Sequence, residues 1–235
     1  MYRLSYELGR INDTLGLSVA VIYHDDSNKP KVTKNTWNGN TTMSVKIYPY
    51  FVLRFYSSDE REEKYNKNRT QNINRLDAFH LIIQGRELMS RFRKAGELFQ
   101  YMDGHLVVNK DLAKKISTIV NLKDGRKLLI QPIVVPDRET GSEFEGFVIF
   151  SNSYDVYALL TFDEFSFLLY TIEKTNIDSL SMQLIIYAES VERGENVETP
   201  SIPTIERPHR VITESGNEDE VHGMPLIQDN TLPDI

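Results

Sequence analysis

The segment Val45–Tyr56 reads VKIYPYFVLRFY, and its side chains alternate in character along the chain. Successive side chains of a β-strand point to opposite faces, so this pattern predicts a strand with one buried face. The buried face would be apolar and would contain Val45, Ile47, Pro49, Phe51, Leu53 and Phe55. The opposite face would carry two cations and three tyrosines around Val52: Lys46, Tyr48, Tyr50, Arg54 and Tyr56.

Aromatic rings interleaved with cations are typical of surfaces that bind single-stranded nucleic acid. Bases stack on the rings, and Lys and Arg follow the phosphates. Further candidates precede the strand in the loop-like segment 25–40, where Lys31, Lys34 and Trp37 would extend the stacking surface. The alternative is structural, because tyrosine suits any half-exposed pleated surface and Trp37 could close one end of the core.

The charge distribution favours a nucleic-acid partner more than the net charge of −7 does. Residues 1–131 carry 22 Lys and Arg against 14 Asp and Glu, a net +8, whereas residues 132–235 carry 5 against 20, a net −15. A basic binding face can coexist with overall acidity when the fold separates the two. The cationic half is the half that contains Val45–Tyr56.

Several functional classes find no support in the sequence. The absence of cysteine excludes disulfides, thiolate metal sites and a cysteine nucleophile. No signal segment or membrane-length apolar run is seen, which predicts a cytoplasmic protein without a membrane partner. Phosphate-loop, dinucleotide-binding, zinc-protease and serine-hydrolase motifs are missing, so we expect no enzyme activity and no cofactor. A metal-dependent nuclease remains an alternative, on His24-Asp25-Asp26 or on Asp137, Glu143 and Glu145.

Local signals predict an α+β domain. Leu17–His24 is typical of a buried strand, Met1–Gly16 of a short helix or an irregular arm, and Asn38-Gly39 of a hairpin turn. A mobile connection is expected at Ser57–Ile73. A long helix is expected at Asn74–Tyr101, with Asn74 as N-cap and a buried stripe of Leu76, Phe79, Ile83, Met89, Phe92 and Phe99.

The second half predicts a meander of strands followed by helix. The strands are Lys115–Leu122, Lys127–Val135, Phe144–Ser151 and Tyr154–Thr161, with Pro132 marking an edge or a bulge. Thr161 and Glu164 form a capping-box pattern that opens a helical segment, Asp163–Val191, with a break near Asn176–Asp178.

The predicted order of elements over residues 17–191, in which strands followed by a helix occur twice, resembles that of the Whirly family and the related eukaryotic single-strand-binding transcriptional coactivators. The segment Thr161–Ile172, TFDEFSFLLYTI, is similar to that family's helix opening after its last strand. The resemblance implies single-stranded DNA binding (or RNA binding) and a homo-oligomer.

The C-terminal segment carries a second resemblance. Residues 193–235 are rich in Pro, Glu and Asn, contain Glu218-Asp219-Glu220 and end in Leu-Pro-Asp-Ile. They resemble the disordered acidic tails of bacterial and bacteriophage single-strand-binding proteins. That resemblance implies recruitment of replication or recombination proteins, and a bacteriophage source with the host cytoplasm as location.

The sequence therefore predicts one α+β domain, residues 1–192, with a twisted antiparallel sheet and two long helices, followed by a disordered acidic tail, residues 193–235. Its predicted function is sequence-independent single-stranded DNA binding in phage DNA replication or recombination. The alternative is a phage inhibitor that binds a host protein through its acidic half.

Overall fold

Two antiparallel sheets of four strands each, both followed by helix, make up the domain. The structure is a computed structural model that describes residues 2–23, 32–37, 40–45, 48–56, 69–137, 140–151 and 156–194. The described residues fall within one compact unit, Met1–Pro203. The mixed α+β class is confirmed. The expectation of one sheet is wrong, because the described residues form two four-stranded sheets and two separate hairpins.

The first half contains six strands and a helix. The strands are β1 (Tyr2–Arg10), β2 (Leu15–Tyr23), β3 (Val32–Trp37), β4 (Asn40–Val45), β5 (Tyr48–Phe55) and β6 (Thr70–Asn74). The first sheet has the order β1-β2-β5-β6, and β3 and β4 form a separate hairpin inserted between β2 and β5. Helix α1 (Arg75–Lys94) follows β6 directly. The N-terminal segment is thus a strand rather than a helix or an arm, and β6 occupies the end of the connection expected at Ser57–Ile73.

Regular structure in the second half begins at Phe99, before the first strand predicted there, at Lys115. It contains β7 (Phe99–Met102), β8 (His105–Val108), α2 (Lys110–Ile116), β9 (Thr118–Asn121), β10 (Lys127–Pro136), β11 (Glu143–Ser151), β12 (Val156–Thr161), α3 (Phe162–Lys174) and α4 (Ile177–Glu192). The second sheet has the order β12-β11-β10-β9, and β7 and β8 form a hairpin. The meander and the break between α3 and α4 are confirmed. Residues Lys115 and Ile116 belong to α2 rather than to a strand.

Helix α1 ends at Lys94, short of the predicted Tyr101, because a hairpin follows it. Met102 pairs with His105, so Asp103 and Gly104 form a two-residue turn. Both turn residues have positive φ, 53° and 85°, as a type I′ hairpin requires. The Asp-Gly pair is therefore the centre of the hairpin β7–β8.

The two halves share one core, into which each half contributes helices. Helix α1 packs against α3 and β9 as well as against β5 and β6, and α4 packs against β1, β2 and β5. Phe51, Leu53 and Phe55 are buried in this core, which confirms the predicted apolar face for these three residues. The predicted strand is too long at its start, because Val45 ends β4, Ile47 lies outside the described residues and β5 begins at Tyr48. Each sheet is therefore covered in part by a helix from the other half.

The buried face of α1 differs from the predicted stripe. Leu76, Phe79 and Ile83 are about half exposed, and Met89 and Phe92 alone of the stripe's helical members are buried. The core-facing side consists of Asp77, Ala78, Leu81, Gly85, Leu88, Met89 and Phe92. The position of Gly85 accounts for which face of α1 is buried. A Cβ on Gly85 would lie 2.8 Å from Cδ1 of Leu169 on α3, so only a glycine allows this close contact. The small residues Ala78 and Gly85 let the two helices approach closely.

We expect Gly85→Ala to destabilise the protein by about 1–2 kcal/mol, although alanine favours helix by about 1 kcal/mol. The added methyl group would also lie 3.2 Å from the Phe165 ring, so the Leu169 and Phe165 side chains must shift within the packed core. Urea unfolding followed by circular dichroism measures the change. The control is Gly96→Ala, whose Cβ meets no atom within 4 Å. Equal stability of the two variants would show that α1 and α3 are not in close contact at Gly85.

Candidate nucleic-acid interface

The first sheet has a core face and an outer face, and the outer face carries the predicted site. Strand register places Tyr48, Tyr50, Val52 and Arg54 of β5 on the side opposite Phe51 and Leu53. The outer face of the first sheet also includes residues from the neighbouring strands: Ser5, Glu7, Arg10, Gly16, Ser18, Ala20, Thr70, Asn72 and Asn74. It combines cations, rings, hydroxyls and amides with one exposed carboxylate, that of Glu7.

The centre of this face is closed. Tyr50 keeps 7% of its surface exposed, and Ala20 and Val52 keep none. These three residues form a small hydrophobic cluster separate from the main core. The prediction that Tyr50 offers an exposed ring is therefore wrong, because its ring completes this cluster.

Two other tyrosines remain at the surface of the face. Tyr48 is 56% exposed at the start of β5. Tyr56 is half-buried, and its ring lies over Gly16, where a Cβ would come within 2.8 Å of the tyrosine oxygen. The Arg10 guanidinium lies over the same ring, 4.6 Å from its centroid. Glycine at position 16 thus makes room for a cation–aromatic pair on the sheet.

Three buried polar atoms on the same face have no hydrogen-bond partner within the part of the chain that the structure describes: Ser18 Oγ, Arg54 Nε and Asn72 Oδ1. Ser18 and Asn72 flank Val52 in one cross-strand row, and Arg54 lies in the next row. An unsatisfied buried polar group costs about 1–3 kcal/mol, so such groups usually have a partner. All three atoms lie beneath the surface of the outer face, beside the closed centre formed by Tyr50, Ala20 and Val52.

The remaining predicted site residues cannot be placed on this face. Lys31 and Lys46 lie outside the described residues. Lys34 and Trp37 belong to β3, and the structure describes their backbone without their side chains. The hairpin predicted at Asn38-Gly39 is confirmed by the pairing of Trp37 with Asn40. The role of these four residues stays a prediction.

The carboxylates considered for a nuclease have separate partners. Asp137 Oδ2 accepts a hydrogen bond from Thr140 Oγ1 at 2.7 Å, and Glu143 Oε2 accepts one from the Leu106 backbone N–H at 2.6 Å. Among the described residues, no group of three His, Asp or Glu side chains could hold a metal ion. His24, Asp25 and Asp26 lie outside the described range. The described positions of Asp137 and Glu143 therefore do not support the nuclease alternative.

Glu145 lies at a pocket on the core side of the second sheet. The pocket has a volume of about 370 Å³ and is lined by Phe92, Phe99, Phe162 and Arg93. Arg93 lies over the Phe162 ring, 5.0 Å from its centroid. Burial raises the pKa of the Glu145 carboxyl.

Glu143 attaches the hairpin β7–β8 to β11. The hydrogen bond from the Leu106 N–H, and then the contact with His105 at 3.3 Å, hold the pKa of Glu143 below its ordinary value. A carboxyl whose pKa is lowered by folding stabilises the protein above its unfolded pKa, and this stabilisation is lost as pH falls through the folded pKa.

We accordingly expect Glu143→Gln to unfold at a lower urea concentration than wild type at pH 7, with the difference shrinking below about pH 4.5. Urea midpoints across a pH series measure this. A difference that stays constant down to pH 3 would show that the Glu143 charge is not linked to folding.

The sequence missed the pairing of Arg10 with Tyr56. The two residues are far apart in the chain, and they meet because Gly16 pairs with both Arg10 and Arg54 across the sheet. An available signal was the glycine within the apolar run of β2, since a strand glycine often marks a close approach.

No helix among the described residues is long and apolar enough to cross a membrane. No protein-family model matches the chain, and no curated protein matches it.

Two solved structures align with most of the chain. The crystal structure of WHY1 from Arabidopsis thaliana is 11% identical, covers 83% of this chain and 93% of its own, and has a TM-score of 0.24. The structure of the plant transcriptional regulator PBF-2 is 10% identical, covers 83% of this chain and 90% of its own, and has a TM-score of 0.25. At TM-scores this low the likeness says nothing about what this chain binds, which has to be argued from its own side chains.

Proposed function

We propose that this protein binds single-stranded DNA without sequence preference, through the outer face of its first sheet. The observation that supports the proposal is the Arg10 guanidinium over the Tyr56 ring, beside Arg54 and the unpaired polar atoms of Ser18 and Asn72. Cations, an exposed ring at Tyr48 and unsatisfied polar groups then lie on one sheet surface.

Each group has a role that suits a flexible single strand. Arg10 and Arg54 neutralise phosphates, which makes affinity depend on salt. Tyr48 and Tyr56 stack bases, and stacking tolerates any base because every base has a π-face. Because bases of a duplex are already stacked on each other, this surface favours single strands.

The proposal includes the residues whose side chains lie outside the described part. Lys46, which precedes β5 in the chain, and Lys31, Lys34 and Trp37 would extend the contact surface. The acidic segment 193–235 would recruit replication or recombination proteins in a bacteriophage-infected cell. Both ideas rest on the sequence.

The test is anisotropy of a fluorescent oligonucleotide of about 30 nucleotides, single-stranded and duplex, over a salt series. We expect salt-sensitive binding of the single strand that exceeds duplex binding. Tyr48→Ala should weaken it about 5- to 150-fold, the equivalent of roughly 1–3 kcal/mol for one stacked base. Arg10→Ala should lower the slope of log affinity against log salt by about 0.7.

A double variant on the helices provides the matched control. Arg75 and Tyr170 are also exposed, on α1 and α3, so Arg75→Ala/Tyr170→Ala removes one cation and one ring elsewhere. It should bind like wild type. Equal weakening by this variant and by Arg10→Ala/Tyr48→Ala would contradict the assignment of the site, and no binding at low salt would contradict the function.

A protein partner is the second candidate function, favoured by the exposed apolar stripe on α1. Leu76, Phe79 and Ile83 recur at helical spacing and are 55%, 57% and 47% exposed. A stripe of this kind suits a helix-packing partner, which could be a second copy of the chain or a host protein. Sedimentation of wild type and of Phe79→Ser separates these outcomes: a mass that falls on substitution indicates self-association through α1.

A further inference from the structure

The two halves of the chain share one strand register, although their sequences do not show it. Each sheet presents its strands in chain order, and each last strand ends at the N-cap of the helix that follows. In the first half Asn74 is that cap and pairs with Tyr50. In the second half Thr161 is the cap and pairs with Gly146. Tyr50 and Gly146 therefore occupy equivalent positions.

Buried residues support this correspondence. The next residues, Phe51 and Phe147, are both phenylalanines and are both buried in the core. Seven residues beyond the caps, Leu81 and Leu168 are both leucines without exposed surface. Strand register and helix phase therefore agree in the two halves.

The correspondence assigns equivalents on the second sheet to three residues of the first sheet's outer face. Counting from the caps gives three pairs on the outer faces: Tyr48 with Phe144, Arg54 with Phe150, and Thr70 with Tyr157. Where the first sheet places Arg54 opposite Thr70, the second sheet places Phe150 opposite Tyr157. The polar cross-strand pair of the first half is aromatic in the second.

The outer face of the second sheet is consequently more apolar and more open than that of the first. Strand register places on it Ile119, Leu129, Phe144, Val148, Phe150 and Tyr157, all of them partly or largely exposed and none of them acidic. The polar Gln131 and the buried Val135 lie on the same face. Tyr157 is 56% exposed and Ile119 is 50% exposed. Lys127, paired with Asn121, lies at one end of this surface. Facing aromatic residues on adjacent strands form a flat platform of the kind on which bases stack.

The two outer faces meet at Thr14, in the turn between β1 and β2. The Tyr56 N–H donates to the Thr14 carbonyl oxygen at 2.9 Å. The Leu159 N–H donates to Thr14 Oγ1 at 3.1 Å, and Asn12 Nδ2 donates to the Leu159 carbonyl oxygen at 2.7 Å. Tyr56 ends the contact surface of the first sheet, and Leu159 belongs to the same strand as Tyr157. A single strand that leaves Tyr56 therefore reaches the second sheet across one residue.

We infer that the outer face of the second sheet is a second binding site, where Phe150 and Tyr157 stack bases of the strand that the first sheet holds. This inference rests on the proposed function. The first sheet binds bases and phosphates through its arginines and tyrosines, and the second binds bases with few ionic contacts. The division predicts that a longer strand gains affinity from the second sheet with little added salt dependence.

The experiment compares oligothymidine of about 8 and about 30 nucleotides on wild type and Tyr157→Ala by anisotropy. A longer strand offers more positions at which one protein can bind, which by itself raises the apparent affinity. Wild type should bind the longer strand more tightly than this statistical effect predicts. Tyr157→Ala should weaken binding of the longer strand about 5- to 100-fold, leave the salt slope unchanged and reduce the advantage of length. Tyr170→Ala, which removes an exposed ring on α3, should change none of these quantities.

Three outcomes would overturn the inference. If Tyr157→Ala binds both strands like wild type while Tyr48→Ala does not, the proposed function stands and the second site is wrong. If Tyr157→Ala instead lowers the sedimentation mass without changing affinity, the second sheet is an interface between copies of the chain. If wild type binds neither strand at low salt, the proposed function fails and the second site fails with it.

Discussion

Replacing Phe147 with alanine lowers the free energy of unfolding by about 3–5 kcal/mol, the cost of emptying a buried phenylalanine site. Phe147 has no exposed surface, and its ring centroid lies 4.7 Å from that of Phe165 and 5.0 Å from that of Phe92. Phe92 belongs to the first half and Phe165 to the second, so the cavity would open where the halves join. A domain of ordinary stability, about 5–15 kcal/mol, would lose about a fifth of it or more.

Urea unfolding followed by circular dichroism measures this loss, and β11 supplies the control. Phe144 lies three residues earlier on the opposite face of the strand and is 38% exposed. Phe144→Ala removes the same ring from a surface position and should cost less than about 1 kcal/mol. Similar losses for the two variants would mean that Phe147 is not at the centre of the core.

Gly146→Ala should destabilise the protein by about 3 kcal/mol, the upper end of the range for overpacking. A Cβ at this position would collide with the Leu160 carbonyl oxygen on β12 and would lie 2.7 Å from Cγ2 of Val135. The first of these obstacles is main chain, which a change of rotamer cannot move. Strands β11 and β12 would have to part beside the N-cap of α3.

The comparison with Gly85→Ala and Gly96→Ala makes this prediction specific. Gly85 faces the ends of side chains and Gly96 faces open space, so the expected order of stability is Gly96→Ala, then Gly85→Ala, then Gly146→Ala. Urea midpoints measured under the same conditions establish the order. A Gly146→Ala protein as stable as wild type would show that the Gly146–Thr161 register is wrong.

Local signals in the sequence predicted the parts of the fold that local chemistry determines. Asn74 caps α1 by accepting a hydrogen bond from the Asp77 N–H at 2.9 Å. Thr161 and Glu164 form the predicted capping box at the start of α3. Pro132 predicted an edge strand or a bulge, and that prediction is wrong for the strand as a whole, because β10 lies between β9 and β11. Pro132 itself lies beyond the residues of β10 that pair with β9. Each of these signals involves residues close together in the chain.

The sequence predictions were wrong where contacts between distant parts of the chain determine which side chains are buried. The apolar residues of α1 offered two possible faces, and the close contact of Gly85 with α3 selects the one that leaves Phe79 exposed. Alternation in β5 identified the core face correctly through Phe51. It could not show that Tyr50 is buried on the other face, because alternation assigns a side chain to a face without saying what covers that face.

The candidate site was predicted in part. Tyr48 and Arg54 lie on the outer face as the pattern indicated, and Tyr56 joins them over Gly16. Arg10 was absent from the prediction because its place depends on the pairing of β1 with β2.

Ultraviolet cross-linking of the full-length protein to oligothymidine of about 30 nucleotides, with the modified residues mapped by mass spectrometry, tests the central claim most directly. Binding on the outer face of the first sheet predicts cross-links within residues 48–56, at Tyr48 or Tyr56, which salt and unlabelled single strand suppress. Cross-links confined to α1, or none at all under conditions where an established single-strand-binding protein reacts, would contradict it.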